Sequence, residues 1–137
     1  MSRDSTQDLA VFPDWRQMER IDVLDARELD RLPFGAIQLD AEGNVLKYNR
    51  TESSISGLRP GEVIGKNFFT EVAPCTNVRE FAGRFREGFA KKDLNAVFPY
   101  RFNFKMDPTN VWVRLFYSAS TESAWVFVSV RRESEGA

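Results

Sequence analysis

The feature that most constrains this chain is a change of apolar period partway along it. Between Asn77 and Lys92, Phe81, Phe85 and Phe89 recur every four residues, with Arg79, Arg84, Arg86 and Lys91 on other faces. That spacing buries one stripe of an amphipathic helix. From Phe98 the period becomes two: Phe98, Tyr100, Phe102, Phe104 and Met106 share one side, while Pro99, Arg101, Asn103 and Lys105 take the other. A half-buried strand follows. Val111 to Tyr117 and Ala124 to Val130 read as two further strands joined by a polar Ser118 to Ser123 loop, the pattern of a β-meander.

Upstream, Phe34 to Asp40 and Val45 to Asn49 are strand-like, and Ala41-Glu42-Gly43-Asn44 between them suits a tight reversal, so a hairpin is expected. A polar stretch ending in Ser56-Gly57, a turn at Arg59-Pro60-Gly61 and an apolar Val63-Ile64 leading into Phe68-Phe69 predict short helices and loops. Residues Met1 to about Pro13 are polar and irregular. Beyond them Trp15, Met18, Ile21, Leu24, Leu29 and Leu32 fall mostly at helical intervals, with a break near Asp22-Val23 and a helix start at Asp25, where Glu28 completes a capping-box variant. Such a segment must lay its apolar face on something larger. The sum is an α+β domain: one five-stranded antiparallel sheet with flanking helices on one side and an N-terminal helical cap. Residues 1–31 form the cap, 32–131 the domain and 132–137 a polar tail. This is also the element order of a PAS sensor domain.

At 137 residues the chain suits one domain, and 19 Lys+Arg against 20 Asp+Glu leave no basic stripe for nucleic acid or an anionic membrane. The longest apolar runs fall far below the roughly 18 residues of a membrane span, and Met1-Ser2-Arg3-Asp4-Ser5 lacks a secretory signal's hydrophobic region. A cytoplasmic protein is expected. There is one cysteine, Cys75, and no histidine. Protein-only zinc, haem and copper sites draw on several Cys or His ligands, and a Cys-His nucleophilic pair needs the histidine this chain lacks. Cys75 is therefore either inert filler or the carrier of a covalently attached group. Twelve phenylalanines supply an aromatic core, or the walls of a flat pocket.

Several blocks carry a resemblance: Phe34-Gly-Ala-Ile-Gln-Leu-Asp40, Tyr48-Asn49, Ile55-Ser-Gly57, Val63-Ile-Gly-Lys-Asn-Phe-Phe69, Val72-Ala-Pro-Cys-Thr76 and Trp125-Val-Phe-Val128. In this order, and spanning about Leu32 to Val130, they make the chain similar to the photoactive yellow protein (xanthopsin) family of PAS blue-light photoreceptors. The resemblance implies a 4-hydroxycinnamoyl (p-coumaric acid) chromophore in thioester linkage to Cys75. It implies that Tyr48 and a protonated Glu52 hold its phenolate, that Ser56 supports Tyr48, and that Met106 assists return to the trans isomer. Phe68, Val72, Ala73, Pro74, Thr76, Phe102 and Phe104 would surround the group. Tyr48 and Glu52 are four residues apart, which a helical turn would bring together. Judged without the family, Glu52 is a solvated loop carboxylate, Tyr48 a strand-end tyrosine, and Met106 one more apolar residue of a strand face.

The sequence departs from the family at Leu58, where an arginine is common, at Phe104, where a tyrosine is familiar, and at Ser56, which replaces a threonine. Before Leu32 there is little likeness. The implied function is a light-driven switch and not an enzyme: trans-cis isomerisation, proton transfer from Glu52, and loosening of the cap toward an unknown downstream signalling protein. A monomer or weak dimer is expected. The competing expectation is a PAS sensor or dimerisation module binding a small aromatic molecule without a covalent bond.

Overall fold

The computed structural model describes residues 14–103 and 108–131. Its centre is a sheet of β1 (Gly35–Leu39), β2 (Val45–Tyr48), β3 (Asn95–Asn103), β4 (Pro108–Ser118) and β5 (Ser123–Val130), antiparallel throughout in the order β2-β1-β5-β4-β3. The expected five-stranded α+β sheet is therefore present. Asp40 closes the β1–β2 hairpin by accepting the Glu42 and Asn44 amides at 3.0 and 2.8 Å, and Gly43 supplies the left-handed residue (φ 89°) the reversal needs.

Alternation along the strands divides the core. Ile37, Leu39, Val113, Leu115, Val126 and Val128 face one side, where they bury Phe68, Phe69, Phe81 and Phe85. Ala36, Trp125 and Phe127 face the other, against Phe34, Met18, Ile21 and Leu29. Helices were expected on one side only; in fact the N-terminal segment covers the second face. It consists of α1 (Trp15–Arg20), a 3-10 turn (Ile21–Val23) and α2 (Ala26–Asp30), so the break falls where the sequence placed it. Asp25 and Glu28 cap α2 reciprocally at 2.8 and 2.9 Å.

On the first face lie α3 (Arg50–Ser56), α4 (Pro60–Val63), a π turn (Phe68–Val72), a 3-10 turn (Pro74–Thr76), a second π turn (Arg79–Gly83) and α5 (Arg84–Lys91). The helix expected from Asn77 to Lys92 is thus divided. Val78 is extended, and the Gly83 amide reaches back five residues to its carbonyl, which widens the first turn. The aromatic stripe survives, with Phe81 and Phe85 buried and Phe89 half-buried. β3 starts at Asn95, before Phe98, because its ladder with β4 runs back to the Asn95–Phe116 pair. Phe104 and Met106 lie outside the described residues. Among the described residues no helix is long and apolar enough to cross a membrane.

Gly88 is buried in α5, where a Cβ would stand 2.7 Å from Leu94 Cβ. Gly88→Ala gains about 1 kcal/mol of helix propensity and loses about 1–3 kcal/mol to overpacking. A lower urea midpoint is expected; a midpoint at or above wild type would contradict this packing.

Candidate functional site

The site begins where β2 ends. Tyr48 is its last residue, Asn49 caps α3, and Glu52 occupies the first turn of that helix. Asn49 is buried and fully used: Oδ1 accepts the Ala36 and Glu52 amides, both at 2.9 Å, and Nδ2 donates to the Leu29 and Phe34 carbonyls at 2.7 and 3.1 Å. Its own amide donates to Ala36 O at 3.1 Å. In a reciprocal capping box the N3 glutamate would fold back onto that amide. Here the sheet already occupies it, and the Glu52 carboxyl turns inward.

Glu52 is 1% exposed, and its Oε1 is buried with no hydrogen-bond partner among the described residues. Room for it comes from Gly35 on β1, where a Cβ would lie 2.1 Å from that oxygen. Burial penalises the charged form and pushes the Glu52 carboxyl up to about 8. The Tyr48 phenol is raised first by burial and then by the charge of Glu52, against a lowering contribution from its bond to Ser56. Tyr48 Oη and Ser56 Oγ are 2.7 Å apart, and the Leu58 amide donates to Ser56 Oγ at 3.1 Å. Glu52 and Ser56 thus stand one turn apart on α3, and Tyr48, at the end of β2, reaches that helix through Ser56.

Cys75 approaches from the two turns after α4. Asn67 caps the Phe68–Val72 π turn by accepting the Phe69 and Thr70 amides, and its Nδ2 ties the turn to Glu42 O at 2.7 Å. Thr76 is buried, with its hydroxyl donating to Ala73 O at 2.7 Å. From β3, Tyr100 Oη donates to Cys75 O at 2.5 Å and the Asn103 amide points to Cys75 Sγ at 3.5 Å. The half-buried thiol lines a cavity of about 590 Å³ with Ser56, Leu58, Val72, Ala73 and Pro74. That volume suits a small organic ligand.

Of the residues singled out in the sequence, Ser56, Val72, Ala73, Pro74 and Cys75 meet in this cavity. Tyr48 joins it through Ser56, with Glu52 buried one turn behind. Phe68 and Phe102 are buried against Phe81, ring centroids 6.0 and 6.1 Å from it. Leu58, at the position of the familiar arginine, presents an apolar side chain to the cavity. Four contributors escaped the sequence reading: Gly35, Asn49, Tyr100 and Asn103. Only Asn49 carried a local signal, as the first residue of Asn49-x-x-Glu52 ahead of a helix.

Because Glu52 titrates higher when folded (about 8) than its reference 4.5, folding stability is full at low pH and declines as pH rises between those values. The chain has no histidine to titrate in that window. Denaturant midpoints of the chromophore-free protein should fall from pH 5 to 8, by roughly 1 kcal/mol per pH unit at steepest. Glu52→Gln should flatten the decline. An equal decline in that variant would place the titrating group elsewhere.

A family model described as the PAS fold matches residues 24–130. Photoactive yellow protein of Rhodothalassium salexigens is 52% identical over 101 residues, covering 74% of this chain and 81% of that protein. The Halochromatium salexigens protein of the same name is 51% identical over 102 residues, covering 74% and 82%. Among solved structures, the photoactive yellow protein domain of the sensor histidine kinase Ppr from Rhodospirillum centenum superposes with a TM-score of 0.77 at 47% identity, covering 80% of this chain and 96% of that one. By these matches, which cover most of its length, the chain belongs to the photoactive yellow protein family, the blue-light photoreceptors built on the PAS fold.

Proposed function

We propose that this chain senses blue light through a 4-hydroxycinnamoyl group, that of p-coumaric acid, held as a thioester on Cys75, with Tyr48 and Glu52 as donors to its phenolate. The observation that carries this reading is Glu52 Oε1, a buried carboxyl oxygen with no partner of its own. A protonated carboxyl there is a hydrogen-bond donor directed into the interior. Its neighbour Tyr48 supplies a second O–H, supported by Ser56 at 2.7 Å. Two short donors to an oxyanion offset much of the cost of burying it.

Loading is acyl transfer: Cys75 Sγ bonds to the carbonyl carbon of an activated hydroxycinnamoyl donor, whose leaving group departs with the bonding pair, and the thiol proton goes to solvent. With no histidine base in the chain, the site retains the acyl group as a receptor and does not turn it over as an enzyme. When bound, the group supplies a photoisomerisable double bond and a phenolic oxygen able to accept a proton. Glu52 holds its proton in the dark because burial disfavours its anion. Glu52 would be the group that gives up a proton to such an oxygen on illumination, and its carboxylate would then stand in a site that favours the neutral acid. Such a charge costs several kcal/mol. Relief comes by loosening α3, whose cap Asn49 is bonded to Leu29 O in α2. The cap, residues 1–31, is thereby freed from the domain at 32–131 to address an unidentified signalling protein. The reading includes a cytoplasmic monomer or weak dimer.

Mixing chromophore-free protein with activated 4-hydroxycinnamate should add one acyl group at Cys75. It should also give a visible band that bleaches in blue light and recovers in the dark. Cys75→Ala should show neither; a visible, photobleaching band in that variant would refute the thioester, and non-covalent uptake by wild type would favour a ligand sensor. Glu52→Gln keeps a neutral donor, so its band should persist, shifted to the red, while proton transfer fails. An unchanged photocycle would remove Glu52 as the donor.

A further inference from the structure

The cap is short of its own stability. α1 and α2 have six and five residues, too few to persist alone, and among the described residues the cap buries Met18, Ile21 and Leu29 against the sheet's second face, with Leu24 partly buried beside them. One polar tie stands out. Asp22, in the 3-10 turn between the two helices, receives four side-chain donors from the end of β4, the β4–β5 connection and β5. Its Oδ1 accepts Trp125 Nε1 at 2.8 Å and Thr121 Oγ1 at 3.1 Å; its Oδ2 accepts Ser120 Oγ at 2.8 Å and Ser118 Oγ. All four partners donate, so the acceptor is a carboxylate. These bonds lower the Asp22 carboxyl further than its partial burial raises it.

The tie reaches deep into the domain. Trp125 is fully buried, stacks on Phe127 at 6.0 Å, and is paired with Gln38 of β1. Thr121 Oγ1 also meets Ser123 Oγ at 2.6 Å, and Ser123 accepts from Gln38 Nε2 at 2.9 Å. β1 is the strand that carries Gly35 beside Glu52. Asp22 therefore fixes the cap to β4, the β4–β5 connection and β5, and β5 is the strand paired with β1, which carries Gly35.

We propose that Asp22 is the latch of the cap, a positioning residue whose carboxylate holds α1 and α2 on the sheet in the dark and whose loss populates the released state without light. This rests on the reading that cap release is the output. It assigns that equilibrium to one side chain that touches neither Cys75 nor Glu52.

The test compares wild type, Asp22→Asn and Ser120→Ala as full chains loaded with chromophore, by amide hydrogen exchange of residues 14–31 in the dark and under blue light. An amide at position 22 turns an N–H₂ toward two of the donors, while Ser120→Ala deletes a single exposed one. In the dark, exchange across the cap should rise about tenfold or more in Asp22→Asn, given the strength of hydrogen bonds to a charged acceptor. The rise in Ser120→Ala should be smaller. The visible band should stay in place in both, and the light-to-dark ratio of cap exchange should shrink toward one in Asp22→Asn, because the dark state is already released. Cap exchange within twofold of wild type in both variants, or an undiminished light-to-dark ratio, would overturn the proposal. The same dark comparison on chromophore-free protein reads the latch alone, so failure of wild type to load would count against the light-sensor reading and not against Asp22.

Discussion

A carboxyl group held out of water, with one oxygen unpartnered, is the constraint on which the rest of this structure depends. Glu52 is almost inaccessible, and among the described residues nothing compensates a negative charge there. Left to local preference, a glutamate at the third position of a helix would fold back onto its cap residue or stay in solvent. Two features prevent this. Asn49 spends its amide on Ala36 O, and Gly35 gives up a side chain so that β1 and α3 can close over the acid. The result is a proton held by desolvation alone, which makes the protonation state responsive to any change in the pocket.

The sheet separates the buried acid from the cap whose release is proposed as the output. Cys75, Tyr48 and the aromatic cluster around Phe81 occupy one face; α1, α2 and Trp125 occupy the other. Polar side chains tie the cap both to α3 on the first face and to the sheet on its own face. Asn49 joins the first turn of α3 to the Leu29 and Phe34 carbonyls, and Asp22 joins the cap to the β4–β5 connection and Trp125. Both are side chains whose full bonding requires the cap to be seated. Cooperative opening of a small unit is the expected behaviour of an element with so little buried apolar surface of its own.

Much of this was legible in the sequence wherever the determinants are local. The β1–β2 reversal, the Asp25–Glu28 box, the Phe81-Phe85-Phe89 stripe and the period-two strands each depend on neighbours within a few residues. What escaped reading depends on chain segments far apart. The cap's position on the second face follows from Trp125 and Phe127 alternating with Val126 and Val128, a pattern hidden in an unbroken apolar run. The π turn at Arg79–Gly83 keeps the four-residue aromatic spacing and so leaves no periodic trace. Gly35 looks like any strand glycine until the carboxyl 17 residues later is placed against it. In the candidate site, Cys75, Tyr48 and Glu52 were found through the resemblance of whole blocks; their chemistry taken singly would not have distinguished them from ordinary core and loop residues.

In the proposed light cycle Glu52 is a neutral acid in the dark that gives up its proton in the light. Infrared difference spectroscopy of the loaded protein measures this directly, with Glu52→Gln to assign the band. A carbonyl-stretch band of a protonated carboxylic acid should disappear on blue illumination, return in the dark and be missing in the variant. A dark state with Glu52 already ionised, or a carboxylic acid band unmoved by light, would contradict it.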